Sequence, residues 1–170
     1  MATVGLFYGS TTGKTSEAAE KIQAALGGES VVALFDMADA DVSDLLGFNY
    51  LIIGSPTWNV GDLQDDWDAV FDDLDDLNFD GKTIAYFGTG DSVGYADNFM
   101  DAIGILEEKI SGLGGKTVGQ WPIADYDFEE SKAVRGDNFC GLALDDDNES
   151  EKTDERINQW ASQVKSAMGL

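Results

Sequence analysis

The residues best equipped for chemistry lie near the start of the chain, in Ser10-Thr11-Thr12-Gly13-Lys14-Thr15. They follow an apolar run, Val4 to Tyr8, that breaks at Gly9, and a helix-like pattern begins after them. A strand that turns through small, hydroxylated residues into a helix N-terminus makes an anion site, because unpaired backbone N–H groups and the positive end of the helix dipole converge there. The hydroxyls add donors without adding charge. An ordinary strand-to-helix connection capped by one Ser or Thr would account for one hydroxyl, not for three beside two glycines. The triphosphate-binding loop needs four residues between its first glycine and Gly-Lys-Thr, whereas Gly9 and Gly13 enclose three, and the glycine spacings of the dinucleotide fingerprint are missing. The pattern suits a single phosphate group.

Composition removes other chemistries. The chain has no histidine, which excludes histidine acid–base catalysis, Ser-His-Asp triads and most transition-metal sites. Cys140 is the one cysteine, so neither an intrachain disulfide nor a cysteine cluster can form. Asp145, Asp147 and Glu149 lack the glycine and the final glutamate of an EF-hand calcium loop. A formal net charge of −23 repels nucleic acid and anionic lipid and attracts basic protein surfaces. The same charge also serves solubility or salt adaptation. No apolar run approaches the ~20 residues of a membrane span, and no basic-then-apolar targeting segment precedes Thr3. These features predict a cytoplasmic protein of one domain, 1–170, without membrane insertion and without an obligate dimer.

The elements that must position the loop follow from periodicity. Ala18, Ala19, Ile22, Ala25 and Leu26 mark a helix over 14–26 that Gly27-Gly28 ends. Val31–Phe35 and Tyr50–Gly54 read as the second and third strands, with a brief helix over 41–46 between them. Leu63, Trp67, Val70, Phe71 and Leu74, spaced by three and four, predict one amphipathic helix with an acidic outer face. Lys82–Phe87 is the fourth strand, Phe99–Leu113 a helix and Thr117–Trp121 the fifth strand. Pro122–Asn138 is polar, aromatic and aperiodic, and predicts a long excursion before the strand resumes over 139–144. Thr153 is placed to cap a last helix buried through Ile157, Trp160, Ala161, Val164 and Met168.

Alternating strands and helices require right-handed crossovers and a parallel sheet covered on both faces. Ligands of such sheets sit beyond the carboxyl ends of the strands, where strand order reverses. Three loops should meet there: 9–15, 55–61 and 88–98. Trp58 and Tyr95 lie in two of them, off any periodic pattern, unlike Trp67 and Trp160. Two rings beside a phosphate cradle predict a flat heterocycle bearing one phosphate, for which flavin mononucleotide (FMN) is the obvious candidate. A phosphoacceptor receiver domain shares the topology, but its acidic pair and its aspartate are replaced by Gly9-Ser10 and Ser55-Pro56. A flavin enzyme would need an open substrate pocket over the ring, which two stacking aromatics would close.

The chain resembles the flavodoxins, specifically the long-chain type of cyanobacteria and algae. The resemblance rests on Gly5–Thr15, on Pro56-Thr57-Trp58-Asn59, on Tyr86–Asp91 and on Gly94–Phe99, and it extends over essentially the whole chain, including the Pro122–Asn138 excursion. It implies a flavodoxin-like three-layer α/β sandwich with a five-stranded parallel sheet of order 2-1-3-4-5 and a long insertion in the last strand; flavodoxins are themselves a type case of the switch-point rule. It implies non-covalent FMN and service as a low-potential one-electron carrier, not an enzyme, between photosystem I and ferredoxin–NADP reductase. Ser10, Thr11, Thr12, Gly13, Lys14 and Thr15 would bind the phosphate, and Trp58 and Tyr95 would sandwich the ring. Thr57, Asn59, Val60, Asp91, Asn98 and the Met100 backbone would hydrogen-bond ring and ribityl chain beside Thr89 and Gly90, with Asp147 reaching the ribityl hydroxyls. Relatives often carry glutamine at the Met100 position, so only the backbone role transfers.

The family also implies that the Asn59–Val60 peptide flips on the first reduction. Glycine turns through positive φ more readily than asparagine. Asn59→Gly should therefore raise the potential of the first one-electron step in a spectroelectrochemical titration, and an unchanged potential would count against the flip.

Overall fold

The computed structural model describes residues 2–58 and 61–170, and at Trp58 the backbone alone. Strand β1 (Val4–Tyr8) runs between β2 (Val32–Asp36) and β3 (Tyr50–Trp58), parallel to both. The chain then folds back at Gly61 into β4 (Asp62–Leu63), antiparallel to the end of β3. Strand β5 (Thr83–Thr89) pairs parallel with the other edge of β3. Next to β5 stand two short strands end to end: β6 (Lys116–Val118) opposite residues 83–85, and β10 (Leu142–Leu144) opposite residues 87–89. They are the two halves of one fifth strand, so the order 2-1-3-4-5 holds with the insertion between the halves.

Both faces of the sheet are buried, and side chains divide between them with period two. Ile84 and Tyr86 face the layer of α3 (Asp101–Gly112), while Ala85 and Phe87 face α1 (Lys14–Leu26) and α5 (Thr153–Met168). Ile103, Leu106 and Ile110 of α3 are wholly buried, and each contributes roughly 1.5–3 kcal/mol by leaving water. Helix α1 ends as expected: Gly27 and Gly28 take positive φ and return their amides to Ala24 and Gln23.

Several boundaries differ from the sequence-based expectation. The segment 62–76 is not one helix. Asp62–Leu63 is drawn into β4, α2 spans Asp65–Val70, and a 3-10 turn over Asp72–Asp76 completes it. A run of aspartates propagates a helix poorly, because their side chains compete for nearby backbone groups. Strand β3 continues through Ser55–Trp58, expected as loop, because β4 supplies an edge for Thr57 and Trp58 to pair with. The fifth strand stops at Val118. Trp121 and Phe139 belong to a small antiparallel sheet of order β7-β9-β8: β7 (Trp121–Pro122), β8 (Val134–Arg135) and β9 (Asn138–Phe139). Helix α3 starts at Asp101 rather than Phe99. Thr153 does not cap α5. It is the first helical residue, and its hydroxyl bonds the Asp146 carboxylate.

The insertion is a built structure. Phe99, Tyr126, Phe128 and Phe139 cluster with ring centroids 5.2–5.8 Å apart. The Tyr126 hydroxyl donates to the Ala143 carbonyl (2.6 Å) and accepts from the Trp121 indole (2.8 Å), tying the excursion to β10. Gly141, where the chain rejoins the sheet, has no room for a side chain: a methyl would overlap the Tyr86 backbone carbonyl. Gly141→Ala should lower stability by about 1–3 kcal/mol in urea unfolding. Gly112→Ala, with nothing within 4 Å of the added carbon, should leave stability unchanged or raise it by up to about 1 kcal/mol.

Candidate functional site

The loop from Gly9 to Gly13 leaves β1 and enters α1 with Gly13 at φ +90 in the N-cap position. Gly13 itself has no side chain with which to cap the helix. Its own ladder begins with the Glu17 amide on the Gly13 carbonyl (3.0 Å), so the amides of Lys14 and Thr15 lie ahead of the ladder. Ser10 organises the loop from within. Its Oγ accepts from Gly13 (3.2 Å) and Ser16 (3.4 Å), which leaves the hydroxyl proton free to point outward. Thr15 is buried and shares a hydrogen bond with the buried Thr89 hydroxyl at the end of β5 (2.9 Å), joining the first turn of α1 to the next strand but one across the sheet. The donors offered here are neutral hydroxyls and amides, which suit one anionic group at a helix N-terminus.

Beside the loop, over the carboxyl ends of β3 and β5, opens a cleft of about 250 Å³ lined by Thr12, Lys14, Pro56, Thr57, Thr89, Gly90, Asp91, Tyr95, Asp146 and Asp147. Tyr95 is half exposed on its rim (53 %). Gly90 is kept bare by Met100, whose terminal methyl would stand 2.7 Å from an added Cβ. Met100 itself is buried at φ +63, the one non-glycine residue with positive φ among the described residues. Such a backbone is uncommon for a residue of this kind and turns the chain sharply into α3 at the cleft's edge.

The loop that carries Tyr95 is held by carboxylates. Asp91 accepts from the amides of Val93 (3.0 Å) and Gly94 (2.7 Å) and from the Asn148 side chain (2.8 Å). The Gly94 bond, then the Asn148 bond, hold its carboxyl below the usual range. Asp145 is wholly buried. It accepts from the Ser92 hydroxyl and amide and from both the amide and the carboxamide of Asn148. Asn148 thus bridges two carboxylates with one neutral group. Lys14 pairs with Asp147 (2.5 Å), and that hydrogen bond raises its pKa.

The structure brings Thr12, Lys14, Thr57, Thr89, Gly90, Asp91, Tyr95 and Asp147 of the expected site to one cleft, with Ser10, Thr11, Gly13 and Thr15 in the adjoining loop. The Thr57 hydroxyl is engaged elsewhere, accepting from the Ala102 amide at the start of α3 (3.0 Å). Asn98 donates to the buried Asp101 carboxylate (3.1 Å) and lines a second groove under the insertion. Asn59, Val60 and the Trp58 side chain, including the peptide flip, lie outside the described residues. Sequence reading missed Asp145, Asn148 and Gln64. Their only local signal is that Asp145 and Gln64 each stand one residue before a short helix, where both cap it.

A parallel sheet with a hydroxyl-lined cleft at the reversal between β1 and β3 defines a doubly wound α/β protein built to hold an anionic ligand. The Flavodoxin family model matches residues 6–160, and the chain belongs to the flavodoxin family. It is 62% identical over 170 residues, all of both chains, to flavodoxins of Picosynechococcus sp. and Synechococcus elongatus. Among solved structures it resembles the Fusobacterium nucleatum flavodoxin bound to flavin mononucleotide, with a TM-score of 0.92 and 29% identity over 98% of this chain and 99% of that one. Members of the family are electron-transfer flavoproteins, not enzymes, and this chain is one of them. Among the described residues no helix is long and apolar enough to cross a membrane.

Replacing Asp145 with alanine would leave the Ser92 and Asn148 donors without their buried acceptor. Asp145→Ala should cost about 1–3 kcal/mol of stability and speed hydrogen exchange at Ser92 and Gly94. Unchanged exchange there would show that the turn is held some other way.

Proposed function

We propose that this protein is a low-potential one-electron carrier with non-covalently bound FMN, working in the cytoplasm between photosystem I and ferredoxin–NADP reductase. The observation that carries the reading is the meeting of the α1 N-terminus with the Tyr95-rimmed cleft at the strand reversal. The residues fit the group: neutral donors at the α1 N-terminus suit one phosphate, and the half-exposed Tyr95 ring on the cleft's rim suits a flat heterocycle. Ser10–Thr15 would hold the phosphate. Tyr95 would lie against the ring with Trp58, and Thr57, Asn59, Val60, Thr89, Gly90, Asp91, Asn98, Asp147 and the Met100 backbone would complete the site. FMN when bound supplies reversible one-electron chemistry.

The protein's part is electrostatic and positional. Asp91, Asp146 and Asp147 line the cleft, and Lys14 is neutralised by Asp147. Added negative charge is therefore opposed by the whole molecule, whose net charge is −23. Exposed Asp65, Asp68, Asp72, Asp73 and Asp76 stand along and beyond α2. Their field attracts a basic docking face and speeds encounter more than it deepens affinity.

A visible spectrum of the purified protein tests the cofactor. A flavin spectrum that Tyr95→Ala makes easier to lose on dilution is expected, and a colourless protein that takes up no FMN would refute the reading. Reduction of a basic acceptor protein should slow steeply from low to high salt. A salt-independent rate would assign the acidity to solubility.

A further inference from the structure

We propose that Gln64, a residue with no part in the binding site described above, is a positioning residue for the phosphate: its carboxamide makes the Thr11 hydroxyl a donor into the anion site. The inference rests on the cofactor reading and adds to it. Gln64 lies between β4 and α2 and is 1 % exposed. Its Oε1 accepts from the amides of Asp66 (3.0 Å) and Trp67 (3.4 Å). Two amide donors leave no choice about which end of the carboxamide is oxygen, so the nitrogen must face the other way. There Nε2 donates to the Asp66 carboxylate (2.7 Å) and to Thr11 Oγ1 (3.2 Å).

The consequence is a matter of hydrogen-bond polarity. An amide nitrogen can only donate, so Thr11 Oγ1 is the acceptor and its own proton must point elsewhere. Among the described residues nothing of the protein takes that proton, and Thr11 is exposed at the mouth of the loop. The hydroxyl is thereby committed as a donor toward an anion at the α1 N-terminus before any ligand arrives, and preorganisation of this kind raises affinity without a new contact.

Packing holds Gln64 independently of the ligand. A side chain at Gly9 would overlap its Oε1, so the bare backbone at the exit of β1 is filled by this carboxamide. The carbonyl of Gly54 accepts both the Gly9 amide (3.0 Å) and the Trp67 indole (2.9 Å), which locks the ends of β1, β3 and α2 together around it. A plain helix cap needs only the oxygen, and Ser, Asp or Asn would serve. What glutamine adds is the donor arm that reaches Thr11.

The test is a fluorescence titration of the full chain, freed of cofactor, with FMN and with riboflavin, which lacks the phosphate. Gln64→Glu keeps an acceptor for the two cap amides but cannot donate, and it sets a second carboxylate against Asp66, so its unfolding in urea is measured beside its binding. Gln64→Met removes the arm without adding charge. Both should weaken FMN about tenfold, the effect of about 1.4 kcal/mol, while changing riboflavin by less than twofold. In a Thr11→Val background, Gln64→Met should no longer alter the FMN-to-riboflavin ratio, because the arm acts through that hydroxyl. Equal loss for both ligands, or a full effect that persists without the Thr11 hydroxyl, would reduce Gln64 to a helix cap and overturn the proposal. If the wild-type chain takes up FMN and the variants keep its preference over riboflavin, this role alone fails. If the wild type takes up no FMN, the cofactor reading fails and takes this role with it.

Discussion

Everything around the cleft answers to one constraint: the first amides of α1 have no partner within their helix. They cannot be buried dry; Gly13 offers no side-chain cap, and Ser10 reaches only the Ser16 amide, leaving those of Lys14 and Thr15. The surrounding structure keeps that end open and faces it with neutral donors. Ser10 braces the loop from inside, Thr89 holds Thr15 from the sheet, and Gln64 holds Thr11 from α2. Each support comes from a different part of the fold, so the geometry of the loop depends on the assembled sheet.

Charge gives the site its second character. The cleft has one lysine on its wall, and that lysine is paired with an aspartate. Both partners are nearly half exposed, so the pair adds little stability, of the order of 0–1 kcal/mol at most; its larger effect is to withdraw a cation from the loop ahead of α1. Asp145 shows the complementary solution. A fully buried carboxylate with no cation beside it is tolerated because Ser92 and Asn148 saturate its oxygens. The lattice it forms is neutral in its donors and rigid in its geometry, and it carries the turn on which Tyr95 stands.

The insertion reaches the same region from the other side. The amides of Glu129 and Glu130 both donate to the Ala96 carbonyl, next to Tyr95, and the Lys132 amide donates to buried Asp101. Splitting the fifth strand costs the sheet little, since β6 and β10 still pair with successive halves of β5. The excursion is anchored through Tyr126 and Ala133, which are buried, while most of its other residues face solvent or are partly covered.

Period-two and period-three-to-four patterns, which arise within a few residues of one another, determined the alternation of strands and helices, the parallel sheet and the strand–turn–helix that offers an anion site; the strand order followed from the resemblance. The hydroxyl-rich first loop and two aromatics off any period pointed to a flat ligand bearing one phosphate, and the resemblance carried by the three loops pointed to the same cofactor. What only the tertiary structure decided involves partners far apart in the chain. Ser55–Trp58 is strand because β4 returns alongside it, and the helix expected over 62–76 starts only at Asp65 because its first residues are needed for that return. Lys14 meets Asp147 across 133 positions, and Gln64 meets Thr11 across 53. Such contacts leave no local period, because they are set by where the folded sheet brings its edges and not by what neighbours a residue in the chain.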